Sequence, residues 1–156
     1  MEINQKKHKS QTRASKRIKI VYVIGLLLST SVGIWHFTAP YLHKWYSYIP
    51  DAPLEIIVSI DYTNYFFSLL LTGVSIILIV LRKEVFSKNR VALIFYGFLV
   101  FVWFNRIVIT IFMPWPNNIP FTLGLISAFT VIFVIQLIPL IFLTKNQIEL
   151  LKKSRC

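Results

Sequence analysis

Cysteine is almost absent: the only one, Cys156, stands at the last position of 156 residues. That excludes an internal disulfide and a dithiol redox cycle. Acidic residues are scarce as well, six against 17 Lys and Arg, which gives a net charge of +11. No Ser, Cys or Lys stands beside a base at the spacing of an activated nucleophile. No cluster of His, Cys, Asp and Glu has the spacing of a metal site, since Pro40 interrupts the seven-residue step from His36 to His43. Bis-histidine haem ligation would need a second buried histidine, and His43 is expected in a loop. The sequence therefore carries no catalytic residue, metal or cofactor signature.

What it has is apolar length. Hydrophobic residues make up 56% of the chain, gathered in four blocks at 20–42, 54–81, 91–113 and 121–144. About 20 mostly apolar residues cross the roughly 30 Å of a bilayer core. The expected fold is all-α: an integral membrane four-helix bundle over 20–144, between basic tails at 1–19 and 145–156.

The charge follows the same plan. Seven basic residues lie in the first tail, four at 82–90 and four in the last tail, while Lys44 alone falls on the other side. The positive-inside bias then places both termini in the cytoplasm and the loops near 43–53 and 114–120 outside. Such a bias argues against dual-topology insertion and explains the charge without a nucleic-acid partner. A signal peptide is the other reading of a basic tail before an apolar block. Pro40 directly after the candidate site Thr38-Ala39 favours a retained span. The first tail has no apolar periodicity and is expected to lack regular structure in water, docking on anionic lipid at the cytoplasmic face.

Within the spans, Gly25, Ser29 and Gly33 recur every four residues, and Gly124 and Ala128 repeat the spacing, so both faces are expected to be packing seams. Asp51 before Pro53 and Glu55 reads as a helix start, as does Asn118 before Pro120. The second loop is expected as a turn over 114–118. Pro139 is expected to kink the last span. Trp35, Trp45, Trp103 and Trp115 all fall in the outer half, with most tyrosines. An interfacial belt predicts aromatics at both surfaces, so the excess points to an aromatic-walled cavity open to the outside.

Two charges interrupt the spans. Asp61 lies seven residues after the start of the second block and Arg106 seven before the end of the third, both roughly 10 Å deep at 1.5 Å per residue. A charge in hydrocarbon costs several kcal/mol, so it pairs or marks a working site. Asn64 and Asn105 stand beside them, and His36 reaches the same level. Asp61, Tyr65, Ser68, Thr72 and Ser75 form one helical face that is expected to look inward. Gln136 is the only strong polar group deeper in the fourth span, so no continuous polar path crosses the membrane. The candidate ligand-binding set is His36, Asp61, Asn64, Tyr65, Trp103, Asn105 and Arg106.

The segments Trp45-Tyr46-Ser47-Tyr48-Ile49-Pro50-Asp51-Ala52-Pro53 and Ile60-Asp61-Tyr62-Thr63-Asn64-Tyr65-Phe66-Phe67-Ser68-Leu69-Leu70-Leu71-Thr72-Gly73, with Asn105-Arg106 and the Pro114 turn, resemble a group of small bacterial four-span proteins of no established activity. The layout is also similar to DoxX-like proteins and to sterol-isomerase/sigma-2-receptor-type bundles. The latter hold amine or sterol-like ligands on acidic residues in a membrane cavity, whereas this chain sets an arginine at the level of its acid. The resemblance implies a multi-pass protein of the bacterial plasma membrane. The expected function is non-enzymatic: binding of an amphipathic, lipid-like ligand, or of a membrane protein partner or second copy. A membrane-embedded enzyme or small transporter acting on a lipid-like substrate, and a purely structural subunit, are the alternatives.

Overall fold

The computed structural model describes the backbone of residues 2–153 except Lys88, Pro116 and Asn117, with burial described for residues 16–145 apart from those three. Helix α1 runs Glu2–Leu42, and a 3-10 turn follows at Trp45–Tyr48. Then come α2 (Leu54–Val80), the short α3 (Arg82–Phe86), α4 (Arg90–Phe112) and α5 (Ile119–Lys153). Among the described residues there is no strand. Four segments are long and apolar enough to cross a membrane: Lys16–Leu42, Leu54–Val80, Arg90–Phe112 and Ile119–Lys145. Their ends fall within a few residues of the hydropathy blocks.

The two loops after α1 and α4 share one end of the bundle, called here the loop end. The start of the first apolar segment, the end of the last and α3 share the other, the terminal end. α1 is the hub, packing on α2 and on α5, while α4 packs on α5 and barely meets α2. The order α2–α1–α5–α4 leaves a crevice between the outermost helices.

Small residues explain why α1 is central. A Cβ at Gly33 would collide with the Thr72 side chain and stand 2.9 Å from the Thr72 backbone nitrogen, so α1 and α2 meet backbone to backbone there. At Gly25 a Cβ would stand 2.8 Å from Cγ of Gln136 on α5. The Gly25-Ser29-Gly33 face is thus the seam for two neighbours. The Gly124-Ala128 face is not a seam: nothing lies within 4 Å of a Cβ at Gly124, and both residues are exposed. Spacing alone does not tell which side of a helix its neighbours choose.

The middle of the bundle is sewn by polar side chains. The Trp103 indole donates to Ser29 Oγ (3.1 Å), which also accepts from Ser75 Oγ (2.8 Å). The Gln136 amide donates to the Gly25 carbonyl (3.1 Å). Tyr96 donates to the Gln136 carbonyl (2.6 Å) and Tyr22 to that of Leu78 (2.8 Å). Ser29, Ser68, Ser75 and Gln136 are wholly buried, whereas Phe95, Phe98, Phe101 and many Ile and Leu side chains cover the exterior. This reverses the arrangement water selects.

Three expectations are corrected. The first tail is helical in this structure, since α1 begins at Glu2; a helix already nucleated by the apolar segment that follows extends cheaply through Lys, Gln and Arg. Asp51 does not cap α2, because a turn closed by Ala52 N–H on the Ile49 carbonyl places it outside and Pro53 takes the cap position. Asn118, by contrast, caps α5, accepting from the Phe121 N–H (3.0 Å). Finally, the polar face of α2 turns inward over Ser68, Thr72 and Ser75 but not over Tyr65, which is 52% exposed. Pro116 and Asn117 of the second turn lie outside the described residues, as does Cys156.

Candidate binding cavity

A cavity of about 700 Å³ occupies the loop end, between α1, α2, α4 and α5. Its walls are aromatic. His36 packs edge-on against Phe67 (5.0 Å) and Trp35 (5.2 Å), and Trp35 in turn against His43 (5.4 Å). Trp115 meets Phe121 at 5.6 Å and Trp45 at 6.3 Å. Local chemistry fixes the rim. Lys44 adopts a left-handed conformation (φ 49°) that turns the chain into the 3-10 segment carrying Trp45. The Trp115 N–H donates to Thr122 Oγ1 (3.1 Å), tying the second loop to the first turn of α5.

Arg106 enters this cavity from α4, its guanidinium stacked over the rings of Phe129 (5.3 Å) and Phe67 (5.5 Å). Depth matching predicts a bond to Asp61, but the structure separates the two. The Asp61 carboxylate accepts from the Tyr46 hydroxyl instead and faces a different cavity of about 610 Å³, among Phe37, Pro40, Tyr41 and Tyr65. The reason lies in the face each side chain takes: Arg106 does reach α2, at Phe67, but Asp61 lines the other cavity, so matched depth does not become contact. Burial first, then the hydrogen bond and charge of Asp61, push the Tyr46 hydroxyl up to about 12.

Asn64 lines both cavities, but its amide is engaged, donating to the His36 carbonyl (2.8 Å). Four residues after His36 stands Pro40, which has no N–H to give that carbonyl. Asn64 supplies the missing donor. Trp103 is 2% exposed and spends its indole N–H on Ser29. Asn105 donates to the Phe101 carbonyl (2.8 Å). Both lie along a crevice of about 290 Å³ between α2 and α4, and Arg106 and Phe67 belong to that crevice as well as to the main cavity. Of the candidate set, then, the main cavity gathers His36, Asn64 and Arg106.

Sequence reasoning passed over His43, Trp45, Trp115 and Phe121 as individual site residues. The signal available was the one-sided aromatic distribution; that loop residues fold back over the helix ends was not readable. The buried atoms His36 Nδ1, His43 Nε2 and Trp45 Nε1 have no hydrogen-bond partner, and all three residues line this one cavity. Among the described residues no carboxylate lines it. An indole and a guanidinium only donate, and each imidazole offers a donor in one tautomer. The arrangement is built to receive an acceptor, best an anionic one, with aromatic surface for an apolar remainder. No three of His, Cys, Asp and Glu converge as metal ligands among the described residues.

No family model, curated protein or solved structure matches the chain.

Proposed function

We propose that this is a multi-pass protein of the bacterial plasma membrane, with cytoplasmic termini, that binds an amphipathic molecule with an anionic head in the loop-end cavity without transforming it. The membrane setting is supported by the buried serines and exposed phenylalanines, and the orientation by the basic residues at the terminal end. One observation carries the ligand reading: a guanidinium without a carboxylate beside it shares a cavity with three unpartnered ring nitrogens. Holding an arginine there costs several kcal/mol unless something charged pays for it. The α2–α4 crevice, which shares Arg106 and Phe67 with the cavity, offers the tail a lateral path to lipid.

The test is native mass spectrometry of gently solubilised protein, with lipid extraction from the same sample. The expected result is one acidic amphiphile per chain, held about 10- to 100-fold more weakly by Arg106→Gln, the range for a hydrogen bond to a charged group. A bare wild-type protein, or equal retention by a folded Arg106→Gln, overturns the reading. The two unpartnered imidazoles favour one second reading, an enzyme acting on the same molecule. It requires turnover of the extracted amphiphile that disappears in folded His36→Ala.

A further inference from the structure

A second cavity, at the terminal end, points to a different ligand. It measures about 670 Å³ and lies between α1 and α3, with four cations and no carboxylate on its wall among the described residues: Lys16 and Lys19 from α1, Arg82 and Lys83 from α3. Below the cations the same wall becomes apolar. Ile20, Val23 and Ile24 continue down α1, so that Ile24 lies about 12 Å further along the helix axis than Lys16. The cavity thus runs from cationic at its end to apolar toward the middle of the bundle, as a phospholipid runs from headgroup to acyl chain.

The two helices that carry the cations are held. α3 is anchored by Val85, which is wholly buried. Phe86 of α3 packs edge-on against Tyr22 (5.3 Å), and Lys19 Nζ stands 5.5 Å from the Phe86 ring centre. Tyr22 in turn is fixed by its bond to the Leu78 carbonyl. Two helices therefore present their basic residues across one crevice in a set relation. A single phosphate leaves most of four positive charges unmet, while two phosphates on one lipid meet more of the charge that the crevice presents from both sides.

We propose that this crevice is a binding site for a phospholipid carrying two phosphates, with an acyl chain lying along Ile20 and Ile24. This rests on the helices spanning a bilayer, and it is independent of what the loop-end cavity binds. The experiment is native mass spectrometry of the full chain in mixed micelles of cardiolipin, phosphatidylglycerol and phosphatidylcholine. The expected result is one cardiolipin retained in preference to two phosphatidylglycerols. Replacing two basic residues, Lys19→Gln with Arg82→Gln, is expected to weaken retention about 30-fold, from about 1 kcal/mol for each basic residue near an anionic surface. Lys19→Arg and Arg106→Gln retain it. Should the first pair not fold, Lys16→Gln with Lys83→Gln must give the same loss. Equal retention by a folded double variant, or phosphatidylglycerol competing charge for charge, overturns the proposal and leaves only diffuse surface attraction.

Discussion

The middle of the bundle and its loop end both bury polar groups, and they use them in opposite ways. In the middle the donors are spent on neighbouring helices: Trp103 on Ser29, Gln136 on Gly25, Tyr96 on the Gln136 carbonyl, Tyr22 on Leu78. The atoms left over there, Thr72 Oγ1 and Gln136 Oε1, lie against the two glycine contacts and do not share a cavity lining. At the loop end the unspent atoms are ring nitrogens of His36, His43 and Trp45, gathered round one cavity with Arg106. A polar group that is satisfied fixes register; one that is held in place and left open selects a partner. Substitutions in the first region should disturb folding without touching ligand capture, and those in the second the reverse.

The largest effect is expected at Gly33. A side chain there meets the Thr72 backbone, which cannot move aside as a side-chain tip can. Gly33→Leu should exceed the about 1–3 kcal/mol of ordinary overpacking and separate α1 from α2. Size-exclusion chromatography in mild detergent would show aggregate in place of a single folded peak. A monodisperse, heat-stable Gly33→Leu protein would mean that the two helices do not meet this closely. Gly124→Leu is the control, since open space surrounds that position; it should leave the melting temperature nearly unchanged.

Ser29→Ala comes next. It strips the acceptor from the Trp103 indole and a partner from Ser75. Leaving a buried donor unsatisfied costs about 1–3 kcal/mol, read as a lower melting temperature in detergent. Retention of the loop-end ligand by the folded fraction should be unchanged. If Ser29→Ala instead released the ligand at unchanged stability, the division between the two regions would fall.

How far the sequence was legible follows the same division. Hydropathy and charge marked the helices because a bilayer imposes length and composition directly. Gly25 and Gly33 were legible as contact points because close approach demands small residues, yet the same logic failed at Gly124, where no neighbour comes. Asp61 and Arg106 share a depth, but depth is one coordinate and contact needs three; that Arg106 meets α2 at Phe67 while Asp61 turns to another cavity is written in no single segment. Asn64 looked like a ligand group because the need it meets, the carbonyl freed by Pro40, arises on another helix. His43 and Trp45 were invisible as site residues because a loop's path back over the helix ends depends on a left-handed residue, Lys44.

Asn64 allows a sharper test, because its assigned role predicts a rescue. Asn64→Leu should cost about 1–2 kcal/mol by orphaning the His36 carbonyl. Pro40→Ala restores a backbone N–H at the position that carbonyl lacks, so the double variant should recover most of the loss. A coupling of about 1 kcal/mol in the thermodynamic cycle is expected, measured by reversible unfolding in mixed micelles. Strict additivity would show that Asn64 serves the cavity and not the helix.

The smallest effect belongs to the strap that Tyr46 makes to Asp61. The Tyr46 hydroxyl is raised from its ordinary 10.0 to about 12, by burial and then by the neighbouring carboxylate. Folding therefore favours the protonated phenol. Its contribution is complete below pH 10 and is lost as pH rises through about 12, since ionised Tyr46 has no proton to donate and faces a like charge. Stability of the wild type should accordingly fall across that window, and Tyr46→Phe should be slightly less stable near neutrality and flatter above pH 10. Because the strap lies on the side of α2 away from Arg106, ligand retention should survive Tyr46→Phe. Loss of the ligand in that variant would join the two cavities into one site and return Asp61 to it.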